Sequence, residues 1–169
     1  VFSKLGVIKG YEEGTFKPNA NITRGEFAAV IARTFNIGTG TVKASFNDID
    51  GDWAKDAIMA LASNGIINGY EDGTFRANNY ITRAEIVAII SRIIELSTVE
   101  GTNNASFNDI GNSWNKDQIE KAAKAGIIKG KGEGYFAPDK NSTRAEALTI
   151  MLRSIKLSPE IAALMDSLK

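Results

Sequence analysis

The chain has 169 residues, 43% hydrophobic and 24% charged, with 20 basic and 20 acidic side chains that cancel to zero net charge. This is a globular composition, and with no global field to steer it toward nucleic acid or an anionic membrane, any anionic ligand must be held by local geometry. Cysteine and histidine are both absent, which excludes thiol nucleophiles, disulfides, imidazole bases, zinc fingers and a Ser-His-Asp triad.

The absence of cysteine suits an extracytoplasmic bacterial protein, and no apolar run approaches the ~18 residues of a membrane span. Val1 to Leu5 already fall inside a repeat, so the chain reads as a piece of something longer. That repeat begins as Gly6-Val7-Ile8-Lys9-Gly10-Tyr11-Glu12-Glu13-Gly14-Thr15-Phe16. It returns as Gly65-Ile66-Ile67-Asn68-Gly69-Tyr70-Glu71-Asp72-Gly73-Thr74-Phe75, and more loosely from Gly126 to Phe136. The period, 59 and then 61 residues, exceeds the roughly 20–50 of common solenoids. It is too short for three domains with separate cores. The expectation is one pseudo-threefold unit over residues 1–169, with repeats at 1–38, 45–97 and 106–157.

In repeat 1 the pattern predicts a helix from Thr23-Arg24-Gly25-Glu26, with Phe27, Val30, Ile31 and Phe35 on its apolar face. Residues 36–44, rich in Gly, Thr and Asn, read as a surface linker. Repeat 2 opens with Phe46-Asn47-Asp48-Ile49, passes Trp53, and predicts a helix with Ala57, Ile58, Leu61 and Ala62 inward. Gly65 stops that helix. Ile66 and Ile67 enter the core, Gly73 supplies a positive φ for the turn, and Phe75 plugs the space beneath it. A second helix starts at Thr82, where Thr82 and Glu85 form a capping box and Ile81 with Ile86 a hydrophobic staple. Ile22 and Phe27 repeat that staple, whereas the third copy has Ser142 and Ala147.

Ile86, Ile89, Ile90, Ile93 and Ile94 continue the helix of repeat 2, and Ala147, Ile150, Met151 and Ile155 that of repeat 3. Three equivalent apolar stripes most economically form a central three-helix cluster. Residues 97–105 form a second linker. Ser158-Pro159-Glu160 then has the form of a helix start, predicting a C-terminal helix over 158–168.

The capping boxes explain Thr23, Glu26, Thr82, Glu85, Thr143 and Glu146. They do not explain Arg24, Arg83 and Arg144, which fall at the first helical position, where the helix dipole favours an anion over a cation. An arginine beside free N-terminal amides would suit a carboxylate ligand. On that reading it is an exposed side chain of little weight in folding. The alternative is an ion pair with a turn acid such as Glu12, Asp72 or Glu133.

Trp53 and Trp114 occupy matching positions, either as core or staple residues or as flat walls for a sugar ring. Tyr11 and Tyr70 match too, with Lys131 in the third copy. Asp48-Ile49-Asp50-Gly51-Asp52 lacks the spacing of a calcium loop and reads as a turn-rich helix entry, so no metal and no cofactor is expected. Paired acids for glycoside hydrolysis are not singled out, because each has a capping or turn explanation.

These motifs resemble the surface layer homology (SLH) family, whose repeats read F-x-D, an aromatic at a helix start, G-I-I-x-G-Y-x-D-G-T-F-x-P and I-T-R-A-E. Repeat 2 matches nearly throughout from Phe46 to Glu85. The departures are Gly25 for Ala, Ala77 for Pro, Ser142 for Ile and Lys131-Gly132 for Tyr-x, and repeat 1 lacks the opening segment.

The resemblance implies a mainly α fold of helix-loop-helix repeats in a three-pronged spindle around a central helical bundle. It also implies non-catalytic anchoring of an exported protein to the bacterial cell wall, through a secondary cell-wall polysaccharide bearing pyruvate ketals on N-acetylmannosamine. Arg24, Arg83 and Arg144 would meet the ketal carboxylate, and Trp53, Trp114, Tyr11 and Tyr70 the sugar. Arg24 would be served by Trp53 and Arg83 by Trp114. Arg144, facing a copy without tryptophan, would have the poorest groove, and the Arg24 groove would be among the best. The expected setting is extracellular, as a monomer, without nucleic acid or membrane insertion. The alternatives are association of S-layer subunits or direct peptidoglycan binding.

Overall fold

The computed structural model describes residues 14–94, 96 and 106–157. Tyr11, Glu12, the linker at 97–105 and the expected helix at 158–168 lie outside the described residues. Among the described residues the chain is mainly helical, with five helices and no strand: α1 (Arg24–Thr34), α2 (Lys55–Ser63), α3 (Arg83–Ile93), α4 (Lys116–Lys124) and α5 (Arg144–Ile155). None is long and apolar enough to cross a membrane. The chain divides between Ile81 and Thr82 into two compact units, so the division runs through repeat 2, just ahead of α3.

In the first unit α1 packs on α2. The core is built from Ile22, Phe27 and Ile31 with Ile49, Ile58, Leu61, Phe75 and Ile81, all nearly inaccessible. The α2 stop follows a Schellman pattern: Gly65 takes φ +69, its amide donates to Ala62, and Ile66 donates to Leu61. Residues 36–44 are less detached than a linker reading implies. Gly40 donates to Ser63 Oγ at 2.7 Å, Val42 donates to the Ser63 carbonyl, and Asn64 reaches back to the Gly38 carbonyl. A side chain at Gly40 would put its Cβ 2.4 Å from the Ser63 carbonyl oxygen, so this strap requires glycine there.

The second unit repeats the scheme. Here α3 packs on α4 and on α5, and Gly126, at φ +74, ends α4 through the same pair of bonds, Gly126 to Ala123 and Ile127 to Ala122. Phe107 lies 5.4 Å from Phe136 between ring centroids, as Phe46 lies 5.5 Å from Phe75. Both Phe75 and Phe136 are buried plugs, as expected for Phe75.

All three capping boxes are formed. Thr23, Thr82 and Thr143 each accept from the amide of the glutamate three residues on, whose carboxylate accepts from the threonine amide. The staple pairs Ile22 with Phe27 and Ile81 with Ile86 are buried. In repeat 3, Ser142 is also fully buried, its hydroxyl donating to the Thr143 carbonyl at 3.3 Å.

Candidate functional site

The helix starts of α1 and α3 are not open amide sites, because the loop of the following repeat has taken their donors. In the first unit Arg24 N donates to the Asn79 carbonyl and Gly25 N to the Ala77 carbonyl, each at 2.8 Å. Glu26 N goes to Thr23 Oγ1 and Phe27 N to the Thr23 carbonyl. In the second unit Arg83 N donates to Lys140 and Ala84 N to Pro138, at 3.0 and 2.9 Å. Isolated bridges between Thr23 and Tyr80, and between Thr82 and Asn141, continue the same apposition. The four donors that a helix start leaves over are therefore satisfied within the protein at both places. This corrects the expectation of free amides beside Arg24 and Arg83.

The arginines are also not exposed. Arg24 is 7% accessible and Arg83 3%, and Arg144 is buried as well. Arg24 Nε donates to the Phe75 carbonyl at 2.9 Å, and its guanidinium lies 4.6 Å from the Phe75 ring centroid and 4.9 Å from that of Tyr70. Arg83 Nε donates to the Phe136 carbonyl at 2.8 Å and Nη2 to the Lys129 carbonyl at 3.1 Å. Its guanidinium lies 4.5 Å from the Phe136 ring centroid. Burial lowers the Arg83 pKa from its usual value, and the charges of Glu146 and Asp109 only partly restore it. The expected ion pair with Asp72 takes another form: Asp72 binds Arg76 at 2.7 Å. Arg24 and Arg83 thus each tie one repeat's helix start to the next repeat's loop.

An aspartate completes the tie from the other side. Asp48 accepts from the amides of Phe75 and Arg76 at 2.8 and 2.7 Å, and Asp109 from those of Phe136 and Ala137 at 2.9 and 2.7 Å. Burial alone would raise the Asp109 pKa, but the two amides and the Arg83 charge outweigh it and hold the carboxyl below its usual value. The gripped peptides, Phe75–Arg76 and Phe136–Ala137, are thus held at the carbonyl by arginine and at the N–H by aspartate. Arg76 and Ala137 both sit at φ +59, a left-handed conformation costly for residues other than glycine.

Sequence reading placed Asp48 in a turn-rich helix entry and did not connect it to Phe75. The available signal was that Phe-Asn-Asp-Ile occurs twice, its Asp each time 27 residues ahead of the buried Phe. The rest of that entry is local: Asp52 accepts from the Ala54 amide at 2.7 Å, and Asp50 pairs with Lys55 at 2.6 Å.

The two tryptophans are neither core nor staple residues. Trp53 is 63% accessible and Trp114 66%. Their neighbours bring them beside the arginine-bearing helix starts: a Cβ on Gly25 would lie 3.5 Å from Ala54 Cβ, and Asn115 Nδ2 donates to the Ala84 carbonyl at 2.8 Å. Two departures from the repeat pattern also meet here. Gly25 contacts Ala77 where the other unit has Ala84 against Pro138, and a Cβ on Gly25 would come within 3.2 Å of Ala77.

The surroundings of the two ties differ. Tyr70 has Arg76 4.0 Å from its ring centroid in addition to Arg24, so its face is occupied by protein cations. In the second unit Lys131 stands in place of that tyrosine, and a groove of about 620 Å³ opens, lined by Asp109, Lys131, Tyr135, Ala137, Pro138, Asp139 and Lys140. Trp114 lines a second groove of about 420 Å³ with Ser113 and residues 115–118. Lys131 pairs with Glu146. Tyr80, Tyr135 and Lys140 are exposed and were not singled out from sequence; Tyr80 shares its place in the repeat with Asn21 and Asn141, so no recurring motif marks it.

Comparison with known proteins gives this arrangement a family. The S-layer homology domain family matches residues 3–28, 45–87 and 106–148, three segments that together take in both ties. The chain is 36% identical over 168 residues to an amylopullulanase of Thermoanaerobacterium thermosulfurigenes, covering 95% of this chain and 9% of that protein. It is 33% identical over 167 residues to the cellulosome-anchoring protein of Acetivibrio thermocellus, covering 94% of this chain and 37% of that protein. With the S-layer protein sap of Bacillus anthracis the identity is 31% over 167 residues, covering 97% of this chain and 20% of that protein. In each case the chain corresponds to a minor part of the relative. Matched in three consecutive copies over well more than half its length, the chain belongs to the S-layer homology domain family.

Proposed function

We propose that this chain is a non-catalytic module that anchors an exported protein to the bacterial cell wall by binding an acidic secondary cell-wall polysaccharide. The family, and relatives named as S-layer and cellulosome-anchoring proteins, support wall anchoring at the cell surface. The amylopullulanase name carries no activity to this chain, which aligns with only 9% of that protein. The finer reading is that the polymer carries pyruvate ketals on N-acetylmannosamine.

The observation that carries the glycan reading is the groove beside the Arg83 tie. There Tyr135 offers an exposed ring, and Lys131 and Lys140 offer accessible cations within one cleft of about 620 Å³. A ring face and cations lining one cleft suit a sugar bearing a carboxylate. Within the second unit Trp114 offers a further exposed ring, next to Asn115, which packs on the α3 start, and within the first unit Trp53 is exposed next to Ala54, which faces the α1 start. Arg24 and Arg83 act chiefly by holding the loops that shape the clefts, and their charge adds to the field a ligand meets.

An NMR titration with the terminal ketal-bearing saccharide tests this. The expected shifts fall on the amides of residues 131–140 and on the indole N–H groups. Shifts scattered elsewhere, or none at millimolar saccharide, would argue for association between S-layer subunits instead.

A further inference from the structure

We infer that Glu146 is an internal stand-in for the ligand's carboxylate: it pairs with Lys131, a cation lining the second-unit cleft, and a carboxylated sugar binds by displacing it from that lysine. The inference rests on the acidic-glycan reading above and adds which group selects the anion and what competes with it.

Glu146 has a local task, closing the α5 capping box. Its Oε2 accepts from the Thr143 amide at 3.1 Å. One oxygen suffices for that. The other, Oε1, accepts from Lys131 Nζ, while Oε2 also lies 4.0 Å from Arg83 Nη1. A single carboxylate therefore faces two cations, one from the α3 start and one from the repeat 3 loop. Lys131 and Glu146 remain partly open, at 41% and 26% of their side-chain surface, whereas Arg83 is enclosed at 4%. The accessible cation is thus the lysine.

Lys131 lines the groove with Tyr135 and Lys140, so a sugar seated against that tyrosine brings a carboxylate within reach of the Lys131 ammonium. Of the two acids that line the groove, Asp109 is committed to two backbone amides, and Asp139 makes no ion pair with Lys131 among the described residues, whereas Glu146 does. This leaves Glu146 as the anion that a ligand must replace. An exposed ion pair is cheap to exchange, and Lys131 can swing from one carboxylate to the other on its flexible stem. In the first unit the same position is Tyr70, already covered by Arg24 and Arg76, so the anion-selecting feature belongs to the second unit.

Calorimetry with the ketal-bearing N-acetylmannosamine saccharide and with its ketal-free counterpart tests the inference, using the whole chain. Glu146→Gln keeps the helix cap, since glutamine serves at that position of a capping box, while removing the competing charge. It should bind the ketal saccharide roughly fivefold more tightly, and Lys131→Met roughly fivefold more weakly, the scale of one exposed charge interaction. Both effects should shrink in high salt, and both should be larger for the ketal saccharide than for its ketal-free counterpart. Thermal melts of each variant verify that the fold is intact. If the wild type fails to bind the ketal saccharide, the polysaccharide reading itself falls. Should the wild type bind while Glu146→Gln is unchanged or weaker, the polysaccharide reading stands and the stand-in role of Glu146 is wrong.

Discussion

Arg83→Ala should unfold the protein more easily, and by a margin large enough to distinguish a buried tie from a surface ligand. The side chain donates to the carbonyls of Phe136 and Lys129 and rests on the Phe136 ring, with 3% of its surface accessible. Hydrogen bonds from a charged donor contribute about 1.5–3 kcal/mol each, and the ring contact about 0.5–2 kcal/mol. Against these stands the cost of enclosing the guanidinium, visible in its lowered pKa. Alanine also leaves the buried Phe136 carbonyl without its partner. A net loss of about 3 kcal/mol follows, which at about 2–4 °C per kcal/mol for a chain of this size lowers the thermal midpoint by about 6–12 °C. Far-ultraviolet circular dichroism melts would measure it. Arg83→Lys should recover less than half, because lysine keeps the charge but lacks the fork that reaches two carbonyls. A midpoint within about 2 °C of wild type for Arg83→Ala would refute the tie and return the arginine to the role of an exposed ligand group.

Thr82→Ala should cost about 0.5–2 kcal/mol by removing the acceptor for the Glu85 amide, measured as a shift in urea midpoint. An unchanged midpoint would contradict the capping geometry. Ala137→Gly should stabilise the fold by up to about 1 kcal/mol, because Ala137 sits at φ +59 where glycine is unstrained, although part of the gain is lost to the freer unfolded chain. Acid should loosen the Asp109 tie. The folded carboxyl titrates below its usual 3.8, so its contribution is complete above that value and lost as pH falls toward the folded pKa. Urea midpoints compared between about pH 5 and pH 3 should fall more steeply for the wild type than for Asp109→Asn.

Much of the fold was readable because it is local. A threonine three residues ahead of a glutamate, set before an apolar stripe, specifies a helix start through contacts within one turn, and all three such starts are present. Gly65 and the Phe75 plug follow from equally short-range chemistry. The ties were not readable in the same way. Arg24 meets Phe75 and Arg83 meets Phe136 across 51 and 53 residues, and no local pattern distinguishes an arginine that will be buried by a later loop from one left in solvent. Its apparent conflict with the helix dipole was a correct clue to a special role. The role proved to be holding a backbone peptide from one side while Asp48 or Asp109 holds it from the other. For the tryptophans the sequence left a core and a surface reading open, and Trp53 and Trp114 project outward because the small or polar residue after each one makes the contact with the preceding helix.

The central claim, that this S-layer homology chain holds to the wall through its polysaccharide, is tested most directly by co-sedimentation with purified cell-wall sacculi before and after chemical removal of that polysaccharide. The account predicts that the chain pellets with intact sacculi and stays in the supernatant with stripped ones. Equal pelleting with stripped sacculi would contradict it and make peptidoglycan or a wall protein the partner.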